Sequence, residues 1–289
     1  MTTPILHLGL GRFHRAHQAV YFQRLKDEFS DDRWTITAFS MRSPAASDTI
    51  RKAEFRFPVV EASKEGVAVR WIDRIRDSGT IVDDRAKFLA AMCDPALELV
   101  TLTITEKGYC LDVAGNLDLN HSDIRADLAN PLEPKTAIGS LALGLMKRAE
   151  RSKSFVMNEA FTGLTVLSCD NLRANGAVLE SAVRSYLEAV GWENSFVDVR
   201  ESVTFPCTMV DRIVPSLSTD ARKKFEEATG IQHRELIATE PFSQWVIEDR
   251  FARPRPPLDK VGIEFVRDVR SHEEMKLRLL NAAHSFMAY

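Results

Sequence analysis

The stretch Ile5–His14, ILHLGLGRFH, decides the fold of this chain. A short apolar run is followed by Gly9-x-Gly11 and then by an amphipathic stretch over residues 15–25. This order predicts a strand, a glycine turn and a helix. The first glycine permits the tight turn, and the second lets the backbone approach a pyrophosphate at the start of the helix. His14 stands where a third glycine is usual, so a glycine turn without a ligand is the alternative interpretation.

Strand-like and helix-like segments alternate along the rest of the chain. The predicted strands cover residues 34–39, 57–60, 67–71, 97–105, 164–167, 204–210 and 262–266. The predicted helices cover residues 47–52, 85–92, 134–151, 175–190 and 273–289. This alternation is typical of an α/β fold with a doubly wound, largely parallel sheet. The proline-rich run Arg253–Pro257 is predicted to be a linker, because proline is excluded from helix interiors and central strands.

The composition is that of an ordinary globular protein. The chain has 289 residues, of which 45% are hydrophobic and 27% are charged, and its formal net charge is -3. This charge gives no electrostatic signal for nucleic acid or for an anionic membrane, so neither is expected as a partner. No apolar run approaches the ~20 residues that a membrane span needs. The first residues lack a basic region followed by an apolar stretch, so a signal peptide is not expected.

The four cysteines are too sparse for a disulfide scaffold. None belongs to a Cys-x-x-Cys pair, and none stands beside a histidine at metal-ligand spacing, which argues against a structural zinc site and against a zinc-dependent alcohol dehydrogenase. We interpret them as reduced packing residues of a cytoplasmic protein. They are Cys93, Cys110, Cys169 and Cys207.

The second predicted strand lacks the acidic residue that usually selects NAD. It ends in the run Ala38–Pro44, AFSMRSP, without Asp or Glu. Arg42 is placed to face the 2′-phosphate of NADP, or it is simply a solvated loop charge. The choice between NAD and NADP therefore stays open.

The last predicted helix carries the polar residues Glu273, Lys276, Asn281 and His284. The last three fall within an arc of roughly 140° on an otherwise apolar face. A lysine there would lose hydration, its pKa would fall, and it would accept a hydroxyl proton. An amide such as Asn281 would stabilise the resulting alkoxide. The helix pattern alone favours the alternative of a surface lysine and a packed histidine and asparagine.

Two further polar residues follow predicted strands. Asn171 closes the apolar strand before it, and Asp211 closes Phe205–Val210. Strand ends of this kind face the ligand crevice of an open α/β sheet. Alternatively, Asn171 caps the next helix, and Asp211 pairs with Arg212 or with a turn amide. Neither Tyr-x-x-x-Lys nor Gly-x-Ser-x-Gly occurs, which excludes short-chain dehydrogenase chemistry and the usual serine hydrolase elbow.

Together these blocks resemble the polyol-specific long-chain dehydrogenases, the mannitol 2-dehydrogenase and fructuronate reductase group. The resemblance runs in family order from one end of the chain to the other, and His14 is what this family has at its position. The blocks are Leu8–Ala19, Leu102–Cys110, Leu167–Leu172, Phe205–Ile213, Glu240–Asp249 and Met275–His284.

The resemblance implies a role for each candidate residue. Lys276 resembles the general base, Asn171 and Asn281 the amide donors around the reacting oxygen, and Glu273 a residue on the proton path. Asp211 and His284 would bind substrate hydroxyls. The family uses no metal. The residues expected to contact the dinucleotide are Gly9, Gly11, Phe13, His14, Arg42, Thr105 and Glu106.

The resemblance also implies a reaction and a domain plan. The reaction is hydride transfer between a linear polyol and a ketose, with D-mannitol and D-fructose favoured over D-mannonate and D-fructuronate. A catalytically silent dinucleotide-binding module is the rival of another class. Residues 1–270 would form the Rossmann-type domain, and residues 271–289 would open a mainly helical substrate-binding domain that is otherwise missing. We expect a monomer or a weak oligomer.

Overall fold

Six parallel strands form the central sheet of the computed structural model, which describes residues 4–154, 163–192, 202–276 and 278. In spatial order the strands are β5, β2, β1, β6, β7 and β8. Their ranges are β1 (Ile5–Leu8), β2 (Ile36–Ser40), β5 (Ile75–Thr80), β6 (Leu99–Leu102), β7 (Leu164–Ser168) and β8 (Val203–Thr204). The order reverses direction at β1, which places a ligand crevice between β1 and β6. The prediction of a doubly wound, largely parallel α/β fold is confirmed.

Helices cover both faces of this sheet, as the apolar strands require. Leu6 and Leu8 pack into one core, which contains α6 and α7, whereas Ile5 packs into a second core, which contains α2. This division follows from the alternation of side chains along a strand. The helices are α1 (Arg12–Ala16), α2 (Gln18–Phe29), α3 (Ala45–Lys52), α4 (Arg85–Met92), α5 (Ser122–Ala129), α6 (Ala137–Ser154), α7 (Asn175–Ala189) and α8 (Thr219–Thr229).

Two small sheets flank the central one. The first has the order β10 (Ile237–Thr239), β3 (Phe57–Ser63), β4 (Gly66–Ile72). The second has the order β12 (Glu264–Val266), β11 (Gln244–Glu248), β9 (Thr208–Asp211). Two 3-10 helices cover Glu106–Tyr109 and Leu258–Val261. Residues 270–276 are helical and are called here the 270–276 helix.

The structure corrects several predicted boundaries. The first helix begins at Arg12 and is interrupted at His17, where φ is -120° and ψ is -86°. The predicted strand 204–210 is two strands in different sheets, because Pro206 has no N–H to continue a ladder. The predicted strand 97–105 ends early, at Leu102.

Other elements were not anticipated from the sequence. The strands β5, β10 and β11 and the helices α5 and α8 are the new ones. The predicted helix 273–289 is described only through residue 276 and at residue 278, and its remainder lies outside the described residues. Among the residues that the structure describes, no helix is both long enough and apolar enough to cross a membrane.

Candidate active site

A cavity of about 480 Å³ lies at the carboxyl ends of β1, β6 and β7, beside the end of β9. This is the edge at which open α/β sheets bind ligands. Its volume lies within the range of small-molecule sites, roughly 300–1,000 Å³. The residues that line it are Gly11, Arg12, Phe13, Thr103, Thr105, Glu106, Cys169, Asp170, Asn171, Val210, Asp211, Arg212 and Lys276.

The two glycines of the turn after β1 have different structural roles. Gly9 has φ +99°, and a Cβ added to it would lie 2.1 Å from the carbonyl oxygen of Thr103. Its N–H donates to the carbonyl of Phe39 at 2.8 Å, which ties the turn to β2. Gly11 is the N-cap residue of α1, and no side chain caps this helix. A Cβ added to Gly11 would have only the carbonyl oxygen of Gly9 within 4 Å, at 3.6 Å. At position 9, therefore, only glycine fits the turn. At position 11 a side chain would fit the fold, and the glycine instead leaves space in the cavity.

His14 lies beneath this turn. Its side chain is fully buried, and its ring stacks on that of His7 with the centroids 3.4 Å apart. Burial, together with the neighbouring His7, holds the pKa of His14 well below its usual range. Burial also lowers the pKa of His7 to about 3. His14 was expected to contact the dinucleotide, but its side chain packs under the turn and does not line the cavity.

Arg42 lies outside the main cavity. It follows β2 and lines a separate cavity of about 300 Å³ together with Asp83, Asp123 and Lys135. Its Nη2 donates to Oδ2 of Asp123 at 2.5 Å, although 79% of its side chain is exposed. In this structure the charge that was expected to face a 2′-phosphate is already paired with a carboxylate from α5.

Lys276, on the 270–276 helix, contacts both strand ends. Its Nζ donates to the carbonyl oxygen of Val210 at 2.6 Å and to Oδ1 of Asn171 at 3.2 Å. Oδ1 of Asp211 lies 3.5 Å from the same nitrogen. Only 14% of the lysine side chain is exposed. The structure therefore brings together three residues that the sequence places far apart.

Asn175 explains why these strand ends meet. It is fully buried at the start of α7, and its Nδ2 donates to the carbonyls of Ser168, Asp170 and Thr208 at 3.2, 3.1 and 2.9 Å. Its Oδ1 accepts from the N–H of Thr208 at 2.9 Å. One side chain thus joins the end of β7 to the start of β9.

Asn171 does not cap the next helix, and Asp211 does not pair with Arg212. Ala174, not Asn171, is the N-cap residue of α7. Arg212 is not paired with Asp211, since its guanidinium donates to the carboxylate of Glu61 and to the carbonyl of Ala16. Both candidate residues are therefore left facing Lys276.

Glu273 lies one helical turn before Lys276. Its Oε1 accepts from the N–H of Ala174 at 3.1 Å. The two residues line a small cavity of about 80 Å³, which also touches Asp170 and Asn171 and so adjoins the large one. Asn281 and His284 lie outside the described residues.

The similarity of this chain to known proteins identifies its family. The family described as the mannitol dehydrogenase Rossmann domain matches residues 3–260. The chain belongs to this family. D-mannonate oxidoreductase of Escherichia coli (strain K12) is 41% identical over 300 residues, which covers 100% of this chain and 58% of that protein. Mannitol 2-dehydrogenase of Cereibacter sphaeroides is 36% identical over 296 residues, with 100% and 59% coverage.

A solved structure of the mannitol dehydrogenase family has the same fold. Pseudomonas fluorescens mannitol 2-dehydrogenase, in a ternary complex with NAD and D-mannitol, superposes with a TM-score of 0.84 at 35% identity. The match covers 96% of this chain and 55% of that one. The chain thus spans less than three fifths of the length of these relatives, which are named as oxidoreductases and dehydrogenases.

Several residues of the cavity, among them Arg12 and Asp170, received no functional role from the sequence. Arg12 follows Gly11 directly, and a cation at the start of a helix after a glycine turn was the available signal. Asp170 precedes Asn171 at the end of β7, and its partners are distant in sequence, so its role was not visible. In the described part of the chain, no group of three or more His, Cys, Asp or Glu is placed to hold a metal ion.

Proposed function

We propose that the protein is an NAD(P)-dependent, metal-independent oxidoreductase that interconverts a linear polyol and a ketose, with Lys276 as its general base. One observation carries the proposal. The Lys276 amine lies against Asn171 and beside Asp211, in a cavity that also contains the glycine turn at Gly11. The family supports the coarser part of it, an oxidoreductase for polyols or sugar acids.

The residues of the cavity fit a nicotinamide dinucleotide. The open start of α1 at Gly11 and the adjacent Arg12 suit a pyrophosphate, because helix N-termini and guanidinium groups both attract anions. Phe13, Thr105 and Glu106 line the same cavity and would hold the remainder of the dinucleotide. The dinucleotide, when bound, supplies the acceptor or donor of the hydride.

Lys276 is positioned to move the hydroxyl proton. Two of its hydrogen bonds are made to Val210 and Asn171, which leaves the remaining position on Nζ for a substrate hydroxyl. The lysine nitrogen donates a hydrogen bond to Asn171, and only the carbonyl oxygen of that side chain accepts one, so this oxygen faces the lysine. The Nδ2 of Asn171 is then the donor available to the reacting oxygen, where it would stabilise developing negative charge.

Asp211 and two residues outside the described ranges complete the proposed site. The Asp211 carboxylate is 37% exposed and accepts hydrogen bonds only, so it suits the hydroxyl groups of a polyol. We assign Asn281 as the second amide donor and His284 as a further ligand of substrate hydroxyls. Residues 1–270 would bind the dinucleotide, and residues 271–289 would begin the substrate-binding part.

Glu273 is proposed to pass the proton to solvent. The small cavity between Glu273 and Lys276 measures about 80 Å³. A water molecule occupies ~30 Å³ in the liquid, so this space suits a short chain of waters. Such a chain would connect the lysine amine to the half-buried carboxylate of Glu273 without a direct contact between them.

D-mannitol and D-fructose are the substrate pair that we propose first. The second candidate pair is D-mannonate and D-fructuronate. The relative named D-mannonate oxidoreductase, which is 41% identical to this chain, favours this pair.

A rate panel tests the proposal. D-mannitol, D-arabinitol, D-sorbitol and D-mannonate are each oxidised under NAD and under NADP, and formation of the reduced cofactor is followed by absorbance. Oxidation of D-mannitol above the others supports the first pair, and oxidation of D-mannonate above the others supports the second. Dinucleotide binding without oxidation of any of the four, by a chain that includes the expected substrate-binding domain, would favour the catalytically silent module.

A further inference from the structure

Thr105 has a backbone conformation that is unusual for its residue type. It has φ +62° and ψ 161°, a region that is adopted almost only by glycine. Threonine is β-branched, so its side chain adds to the strain. The residue follows β6 and starts the 3-10 helix Glu106–Tyr109. Both Thr105 and Glu106 line the large cavity, so the strain occurs where a ligand would bind.

Asp170 holds this segment in place. Its Oδ1 accepts from the N–H of Thr105 at 2.8 Å, and its Oδ2 accepts from the N–H of Ile104 at 3.0 Å. Oδ2 also accepts from the hydroxyl of Tyr109 at 2.8 Å. All three donors belong to Ile104–Tyr109, which we call the β6 loop. One carboxylate at the end of β7 therefore fixes the loop that follows the neighbouring strand.

Because Asp170 is buried, its hydrogen bonds are important for the stability of the loop. The residue is 8% exposed, and burial raises the pKa of its carboxyl group while the bonds from Ile104, Tyr109 and Thr105 lower it. A buried N–H that loses its acceptor destabilises the local structure more than an exposed one does. Strain of the kind seen at Thr105 persists only where surrounding contacts hold it.

We propose that Asp170 is a positioning residue that holds the β6 loop in its strained form, and thereby sets the affinity for the dinucleotide. The inference rests on the proposed function, because it takes the ligand beside Thr105 to be a nicotinamide dinucleotide. Without the carboxylate the loop relaxes, and Thr105 and Glu106 leave the positions from which they line the cavity. The Lys276 amine makes no hydrogen bond to Asp170 and keeps its own partners. Cofactor binding is therefore affected more than the proton transfer.

The Asp170→Asn variant tests the inference. An amide nitrogen cannot accept, so one backbone N–H of the β6 loop loses its partner. We expect the Kd of NADH or NADPH, measured by fluorescence titration, and the KM for the dinucleotide to rise by roughly tenfold, as for a buried hydrogen bond left unmade. The matched control, Tyr109→Phe, removes the hydroxyl bond to the same carboxylate but leaves both N–H bonds, and its dinucleotide affinity should stay close to wild type.

A second substitution separates positioning from a general loss of structure. Glycine adopts positive φ without strain, so a loop with glycine at position 105 no longer needs the carboxylate to hold it. Asp170→Asn should therefore weaken dinucleotide binding much less in a Thr105→Gly background than in the wild type, and the double variant should fold even if Asp170→Asn alone does not. Unchanged affinity in Asp170→Asn, or an equal loss of affinity in both backgrounds, would overturn the inference while leaving the proposed function intact. A wild-type protein that binds neither dinucleotide would overturn both.

Discussion

The Nζ of Lys276 donates to Oδ1 of Asn171 across 3.2 Å, although 105 residues separate them in the chain. The contact exists because the 270–276 helix passes the carboxyl edge of the central sheet, where β7 ends. This contact places the amine of Lys276 against the amide of Asn171 beside the large cavity.

Asn171→Asp should move the pH profile of the reaction. A carboxylate in place of the amide would favour the charged form of Lys276, and a general base works only when it is deprotonated. We expect the acid limb of kcat/KM for polyol oxidation to shift by about one to two units toward higher pH. The measurement is a pH series of initial rates at saturating dinucleotide.

Asn171→Ala is the matched variant for this prediction. It removes the donor to the reacting oxygen without adding a charge, so kcat should fall by roughly 10²–10³, as for loss of an oxyanion donor. Its acid limb should not move toward higher pH. A kcat equal to that of the wild type would show that Asn171 does not contact the reacting oxygen.

The two glycines of the turn should respond differently to a methyl group. Gly9→Ala places Cβ 2.1 Å from the carbonyl oxygen of Thr103 in a residue with φ +99°. We therefore expect the free energy of unfolding to fall by about 2–5 kcal/mol. Gly11→Ala meets only an ordinary contact at 3.6 Å, so the fold should be retained while dinucleotide binding weakens. Urea unfolding and NADH titration measure the two effects. Equal stability of both variants would contradict the assigned roles.

The ion pair of Arg42 and Asp123 should influence the choice between NADP and NAD. Asp123→Asn releases the guanidinium, which then becomes available to a 2′-phosphate, and we expect NADPH affinity to rise relative to NADH by a few-fold, about the effect of one exposed pair. The control is Asp249→Asn, which breaks the exposed pair with Arg255 and lines neither cavity. An unchanged ratio in Asp123→Asn would place the adenosine end of the dinucleotide elsewhere.

Three buried histidines should make the fold sensitive to acid. Burial lowers the pKa of His7 and of His17 to about 3 and holds that of His14 well below its usual range. In the unfolded chain these groups take up protons near pH 6.5, so protons bind the unfolded state preferentially below that pH. Stability is therefore expected to fall as the pH drops from 6.5 toward 3.

Urea unfolding midpoints at pH 7, 6 and 5 measure this effect. Burial raises the pKa of Asp170, so this carboxylate takes up a proton at a higher pH in the folded state than in the unfolded chain. Its protonation therefore favours the folded state as the pH falls, which opposes the effect of the histidines. A midpoint that stays constant or rises from pH 7 to pH 5 would contradict the prediction that the buried histidines dominate.

The sequence allowed part of this site to be predicted, for a physical reason. The carboxyl ends of parallel strands share one edge, so Gly11 and Asn171 were expected near one another once the strands were recognised. Asp211 was expected at the same edge, but it closes β9 in a separate sheet, and the side chain of Asn175 brings that strand to the end of β7. The break at His17 was not predicted, because no local signal distinguishes it from a continuous helix. His14 was expected to contact the ligand, but its burial depends on His7 in the adjacent strand.

The contacts that sequence reasoning missed join residues that are distant in the chain. Asp170 bonds to Thr105, 65 residues away, and Arg42 pairs with Asp123, 81 residues away. Neither partner is implied by the residue type or by local spacing. A strained φ, such as that of Thr105, is likewise a property of tertiary contacts, since nothing in the threonine itself favours it.

The most direct test of the central claim is the turnover of Lys276→Ala. Dinucleotide affinity is measured by fluorescence titration, and polyol oxidation is measured near neutral pH. We predict an unchanged Kd for the dinucleotide and a fall in kcat of roughly 10²–10⁴, the usual contribution of a general base. Turnover equal to that of the wild type would contradict the assignment of Lys276 as the base.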